Sequence, residues 1–198
     1  MSADPETIAY YDRDARDYAQ SAIDHGERAS LMAFEARLPR GARVLDLGCG
    51  GGHESAWLRD HGHLVTSMDA SPGLAAEAKR RWNIDVRVAD FGALDEIGAY
   101  DGVSSSAALH HAPAADLPRI LADIARALKP GGVFSATMKG GANRRDGFNR
   151  FYCAMDAAGV RALFGDETVW TDVNIAEGVG AGHDGVETPW FVITARRV

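Results

Sequence analysis

The sequence predicts an α/β fold, a mostly parallel sheet covered by helices on both faces. Three observations predict it. Short apolar runs alternate with helix-patterned segments from residue 43 onwards. A glycine-rich turn, Gly48-Cys49-Gly50-Gly51-Gly52, follows the first run. Carboxylates stand at or near the ends of the first three runs, as Asp46, Asp69 and Asp90. Sheets of this kind bind ligands outside the carboxyl ends of their strands, so the residues just after each run are where chemistry is expected.

The elements follow in order. Asp4-Pro5 is a helix start, a capping side chain followed by proline at the first helical position. The helix it opens carries Tyr10, Tyr11, Ala15 and Tyr18, and a second helix ends near Leu38-Pro39-Arg40-Gly41. Arg43 to Leu47 is the first strand, and a helix from Gly52 to His61 follows it. Leu64 to Met68 is the second strand, after which Ser71-Pro72 caps a helix reaching Trp82. Val86 to Ala89 and Asp101 to Ser106 are the third and fourth strands. A helix from Ala114 to Leu128 ends at Lys129-Pro130-Gly131-Gly132, a stop-and-turn signal. Val133 to Met138 is the fifth strand, Asp156 to Phe164 a helix, and Thr168 to Ile175 and Pro189 to Arg196 the last two strands.

The 198 residues suffice for one domain with a sizeable core. The reading is a single unit, 1–198, with a helical cap over 1–40 and the α/β core over 41–198. Hydrophobic residues make up 46% and charged residues 25%, as in ordinary soluble globular chains. No apolar run is long enough to span a membrane. The start, Met1 to Glu6, is polar and acidic and does not read as a secretory signal, so a cytoplasmic location is expected. A formal net charge of -7 disfavours a nucleic-acid partner, because phosphate backbones are repelled. Cys49 and Cys153, the two cysteines, read as reduced thiols. Neither they nor His53, His61, His63 and His183 have metal-ligand spacing, so no metal is expected.

The turn decides the ligand class. Glycine lets the chain bend sharply and approach a ligand without a Cβ. The dinucleotide pattern G-x-G-x-x-G needs a small residue at position 53, where His53 stands. Asp46, two residues before the first glycine, would repel a pyrophosphate and suits a cationic ligand. Asp69, 21 residues after Gly48, is placed to accept ribose hydroxyls. Asp90-Phe91 is placed to meet an adenine, by its amino group and its face.

With Leu109-His110-His111-Ala112-Pro113 and Leu128-Lys129-Pro130-Gly131-Gly132 added, the sequence resembles the class I S-adenosylmethionine (SAM)-dependent methyltransferases from Tyr10 to Arg197. Within them it is similar to small bacterial methyltransferase-domain and tellurite-resistance-like proteins. The shared features are Tyr10-Tyr11-Asp12 through Ala15 and Tyr18, Lys139-Gly140, and Arg150-Phe151. It departs from them at Ser104 and Ser106, where tryptophan and cysteine are common. It also departs in the long glycine-rich stretch from Glu177 to Gly185. The resemblance implies a Rossmann-like, seven-stranded sheet of order 3-2-1-4-5-7-6 with strand 7 antiparallel.

The resemblance also implies SAM as cofactor, S-adenosylhomocysteine as product and a small-molecule methyl acceptor, in a monomer or homodimer. The cofactor residues expected are Tyr11, Asp46, Gly48, Cys49, Gly50, Asp69, Ala70, Asp90, Phe91, Ala107, Ala108 and Leu109. His111 and His110 are candidate general bases, since imidazole titrates near neutrality; packing of the turn is the competing role. Tyr11 is a further catalytic candidate and, with Tyr18, either a lid over the methionyl end or an apolar staple. Lys139, Arg150 and Trp190 are candidate acceptor contacts, against a solvated loop for the cations and a core role for the indole. A tRNA or protein acceptor, or a non-catalytic SAM-binding role, remain alternatives.

Overall fold

The computed structural model describes residues 3–25, 29–153 and 155–198. Helix α1 (Pro5–Arg13) is capped by Asp4, whose carboxylate accepts from Thr7 N. The expectation of one helix carrying Tyr10 to Tyr18 needs correction. Asp14 leaves helical geometry and α2 (Ala15–His25) begins after it. Helix α3 is Ala29–Glu35.

The core then alternates: β1 (Arg43–Leu47), α4 (His53–Asp60), β2 (Leu64–Asp69), α5 (Pro72–Trp82), β3 (Val86–Val88), β4 (Tyr100–Ser106), α6 (Leu117–Ala127) and β5 (Leu128–Lys139). Helix α6 starts three residues later than the sequence implies, because Ala114–Asp116 forms a tight 3-10 turn after Pro113. Leu128 already pairs with Tyr100, so the Lys129-Pro130-Gly131-Gly132 turn lies inside the bounds of β5. A two-stranded hairpin, β6 (Arg144–Arg145) with β7 (Phe151–Tyr152), was not legible in the sequence. Helix α7 (Ala157–Leu163) and the long strands β8 (Trp170–Ala181) and β9 (Glu187–Arg197) complete the chain.

The large sheet has the order β3-β2-β1-β4-β5-β9-β8. Counting only its own strands, that is 3-2-1-4-5-7-6. The strands from β3 to β5 run parallel and β9 runs antiparallel between β5 and β8. Alternation along β1 sets its two faces. Leu45 and Leu47 enter the larger core with α6 and α7, while Val44 packs with Leu31 and Phe34 of α3 and Leu58 of α4. Asp46 therefore points to the α4 face. Helix α6 buries Leu117, Ile120, Leu121 and Ile124, the spacing of one helical stripe. No helix of the described residues is long and apolar enough to cross a membrane.

Candidate cofactor and acceptor site

The parallel strands end at an open cavity lined by residues from the ends of β1, β2, β3 and β4 and from the N-terminal helices. Its floor is the glycine turn. Gly48 has φ +79°, and a Cβ there would stand 2.4 Å from that of Ala108. Gly52, φ +78°, opens α4 while lying against Ala78 of α5. These two positions exclude side chains for opposite reasons: one keeps the cavity floor thin, the other brings two helices together.

Asp69 ends β2 with its carboxylate fixed by two backbone donors, Gly50 N and Ser71 N, each at 2.8 Å. Burial raises its pKa and these N–H groups lower it. Each oxygen keeps a free lone pair for a further donor. Asp90 follows β3, accepts from Gly92 N at 2.9 Å and lines the cavity beside the buried Phe91 ring. Met68, Leu74, Ala89 and Ala108 add apolar surface.

The N-terminal helices form the roof, where Asp4, Thr7, Ile8, Tyr11 and Tyr18 face the cavity. Two ties hold it. Asp12 accepts from Ser71 Oγ and Gly73 N, joining α1 to the start of α5. Thr7 Oγ1 accepts from Phe151 N, joining α1 to β7. Sequence reading missed Asp4, Thr7 and Ile8; the capping signal at Asp4 marked a helix start and carried no sign of what the helix covers.

Behind the roof lies a polar chain. The Arg150 guanidinium donates to Tyr11 Oη at 3.2 Å, and Tyr11 Oη lies 2.9 Å from His111 Nε2. His111 Nδ1 lies 2.6 Å from the Phe151 carbonyl, which can only accept. The Nδ1 proton is thereby assigned, and Nε2 is left with a lone pair toward Tyr11 and the cavity. Burial, followed by the nearby Arg150 cation, outweighs the Phe151 bond and pushes His111 down to about 4, so its ring is neutral near pH 7.

The cofactor residues expected from sequence divide in two. Tyr11, Gly48, Gly50, Asp69, Ala70, Asp90, Phe91, Ala107 and Ala108 all line the cavity. Asp46, Cys49 and Leu109 are buried outside its lining. Asp46, on the α4 face of β1, accepts from Ser55 Oγ at 2.6 Å, and burial followed by Glu54 raises its pKa. The expected charge match of Asp46 with a cationic ligand is thus replaced by a buried network of Asp46, Ser55 and Ser67.

His110 is also outside the cavity; its Nδ1 accepts the Lys139 backbone N–H at 3.0 Å. Lys139 is paired with Asp184 and Arg150 with Asp146, all four side chains buried. Trp190 is half-buried and donates its indole N–H to Gly180 O. None of these three candidate acceptor contacts lines the cavity. Their partners Asp146 and Asp184 carried no sequence signal beyond being acidic residues in loops. Among the described residues, no group of three or more His, Cys, Asp or Glu side chains is placed to hold a metal ion.

Comparison with known proteins agrees with this geometry. Residues 44–132 match the family model described as a methyltransferase domain. The solved Burkholderia thailandensis 1,6-didemethyltoxoflavin-N1-methyltransferase, which holds S-adenosylhomocysteine and its acceptor, superposes with a TM-score of 0.69 at 24% identity. The match covers 100% of this chain and 92% of that one. The fold is that of the class I methyltransferases. An uncharacterized methyltransferase of Synechocystis is 39% identical over 101 residues, covering 48% of this chain and 46% of its own. A malonyl-[acyl-carrier protein] O-methyltransferase of Enterobacter lignolyticus is 41% identical over 115 residues, covering 56% and 45%. The matched segment therefore spans about half the length of these two methyltransferases.

Proposed function

We propose that this chain transfers a methyl group from SAM to a small-molecule acceptor and releases S-adenosylhomocysteine. The observation that carries the reading is one cavity shared by Asp69, Asp90, Phe91 and the Gly48 turn at the ends of β1, β2 and β3. The donor set fits an adenosyl group. Asp69 would take the ribose hydroxyls, Asp90 the adenine amino group and Phe91 the base, with the peptide groups of Gly48 and Gly50 toward the methionyl end. Among the described residues that line the cavity there is no lysine or arginine, while Asp4, Asp69 and Asp90 are there, and this charge balance disfavours a pyrophosphate. The Tyr10-Tyr11-Asp12 start, Lys139-Gly140 and Arg150-Phe151 support the narrower kinship with tellurite-resistance-like methyltransferases.

When bound, SAM supplies an electrophilic methyl on a sulfonium. The chain's part is alignment and exclusion of water. Tyr11 and Tyr18 line the cavity from the N-terminal helices. Tyr11 is held by Arg150 on one side and His111 on the other, which orients its hydroxyl. His111 Nε2 is the proton acceptor for a hydroxyl or amine acceptor, directly or through Tyr11 Oη. Its tautomer is set in advance by Phe151. We place the protein in the cytoplasm as a monomer or homodimer, with the acidic net charge of -7 supporting a small-molecule partner over a nucleic acid.

The test is titration calorimetry with S-adenosylhomocysteine, then S-adenosylhomocysteine release from SAM with panels of phenols, thiols, amines, carboxylates and chalcogen oxyanions. The reading expects binding and turnover of at least one small acceptor. Absence of binding, or turnover confined to tRNA or protein, contradicts it.

A further inference from the structure

The tip of the β8–β9 hairpin carries an acidic side chain into a basic recess beside the cavity. Asp184 Oδ1 accepts from Lys139 Nζ at 2.8 Å, and Oδ2 accepts from Arg144 Nη2 at 3.1 Å. The Lys139 and Asp184 side chains are each 4% exposed. The third cation nearby, Arg150, has its own partner in Asp146. One carboxylate therefore bridges two cations. Aromatic rings wall the recess: Tyr152 lies 4.9 Å and Trp190 5.6 Å from Lys139 Nζ, and Arg144 stacks 4.6 Å over Tyr152. The recess adjoins the cavity through two touching rings. His110 accepts the Lys139 backbone N–H, and its ring centroid is 4.5 Å from that of cavity-lining His111.

The tip is a short turn beyond the end of the ladder. The β8–β9 ladder ends at Ala181↔Glu187, and beyond it Gly185 N closes a turn on Gly182 O. His183 bonds Ser21 of α2, its ring lies 5.2 Å from Tyr18 and 5.6 Å from Phe148, and Val186 N donates to Asp184 Oδ1 at 3.4 Å. We propose that this recess anchors a carboxylate of the methyl acceptor, and that Asp184 fills it in the protein without acceptor. The inference rests on the acceptor standing at His111, as proposed above. A carboxylate ligand reproduces the bridge that Asp184 makes, ammonium on one oxygen and guanidinium on the other. Removing Asp184 with no replacement would leave the buried Lys139 and the partly exposed Arg144 without their shared carboxylate, so exchange of one carboxylate for another is the low-cost route. The mobile element is then a four-residue turn, and the sheet stays intact.

Malonate serves as the probe, with sodium chloride at matched ionic strength as control. Calorimetry is expected to show Asp184→Asn binding malonate at least tenfold more tightly than the unmodified protein. Adding Lys139→Met is expected to reverse that gain. In the unmodified protein, malonate is expected to speed hydrogen–deuterium exchange of amides 182–187, a measurement that stands even where a variant fails to fold. Equal malonate affinity in folded Asp184→Asn, a gain that survives Lys139→Met, or unchanged or slower exchange at the tip overturns the subsite. S-adenosylhomocysteine titrated into the same samples separates the two readings. Its binding with no malonate effect removes the subsite alone, and its failure to bind the unmodified protein removes the cofactor assignment.

Discussion

His110 and His111 are neighbours in sequence with opposite backbone partners. A peptide N–H points at Nδ1 of the first, and a carbonyl points at Nδ1 of the second. Only His111 therefore offers an Nε2 lone pair to Tyr11 and the cavity. His111→Ala is expected to leave S-adenosylhomocysteine affinity unchanged and lower turnover by about 10²-fold or more, as loss of a general base does; equal turnover would return the residue to a packing role. Its titration also predicts an acid response. The folded pKa of about 4 lies below the ordinary imidazole value of 6.5, so the unfolded chain takes up the proton first as pH falls. The neutral ring's contribution is intact above pH 6.5 and is lost on descending toward pH 4, by about 3 kcal/mol. Replacing it by Gln should cancel that part, seen as a smaller stability loss between pH 7 and 4 in urea titrations. For Asp69→Ala, the account predicts S-adenosylhomocysteine affinity about 10- to 100-fold weaker, since hydrogen bonds to a charged acceptor are lost. Sequence could single out Asp69 and Asp90, which stand at strand ends. It misplaced Asp46, one residue before the end of β1, because pleating turns that side chain under α4.

The glycine turn and the roof are the elements that make the cavity. Gly48→Ala combines a left-handed backbone with a 2.4 Å approach to Ala108 and is expected to cost about 2–4 kcal/mol. Gly41→Ala, φ +68° with open space around it, isolates the backbone part and should cost about 1 kcal/mol. Equal costs in chemical denaturation would show that the Ala108 contact is unimportant. The strand–helix alternation from Arg43 to Met138 was readable because each element has its own period and its own stop signal. The β6–β7 hairpin and the hairpin tip at Asp184 were not. Two-residue strands have no period, and an ion pair between residues 139 and 184 leaves no local trace.

At the scale of the whole molecule, an acidic chain brings three cations, Lys139, Arg144 and Arg150, together beside the cavity, each paired with an aspartate. The sheet order followed from the resemblance, and the chain's own β3-β2-β1-β4-β5-β9-β8 reproduces it. What that order achieves is convergence: strands distant in sequence deliver Asp69, Asp90, the Gly48 turn and His111 to one opening. The claim that this opening holds an adenosyl group is tested most directly by a crystal structure grown with saturating S-adenosylhomocysteine. The account predicts ribose hydroxyls on the Asp69 carboxylate and the adenine beside Asp90 and Phe91. Density for the nucleoside elsewhere on the molecule, or an empty opening, would contradict it.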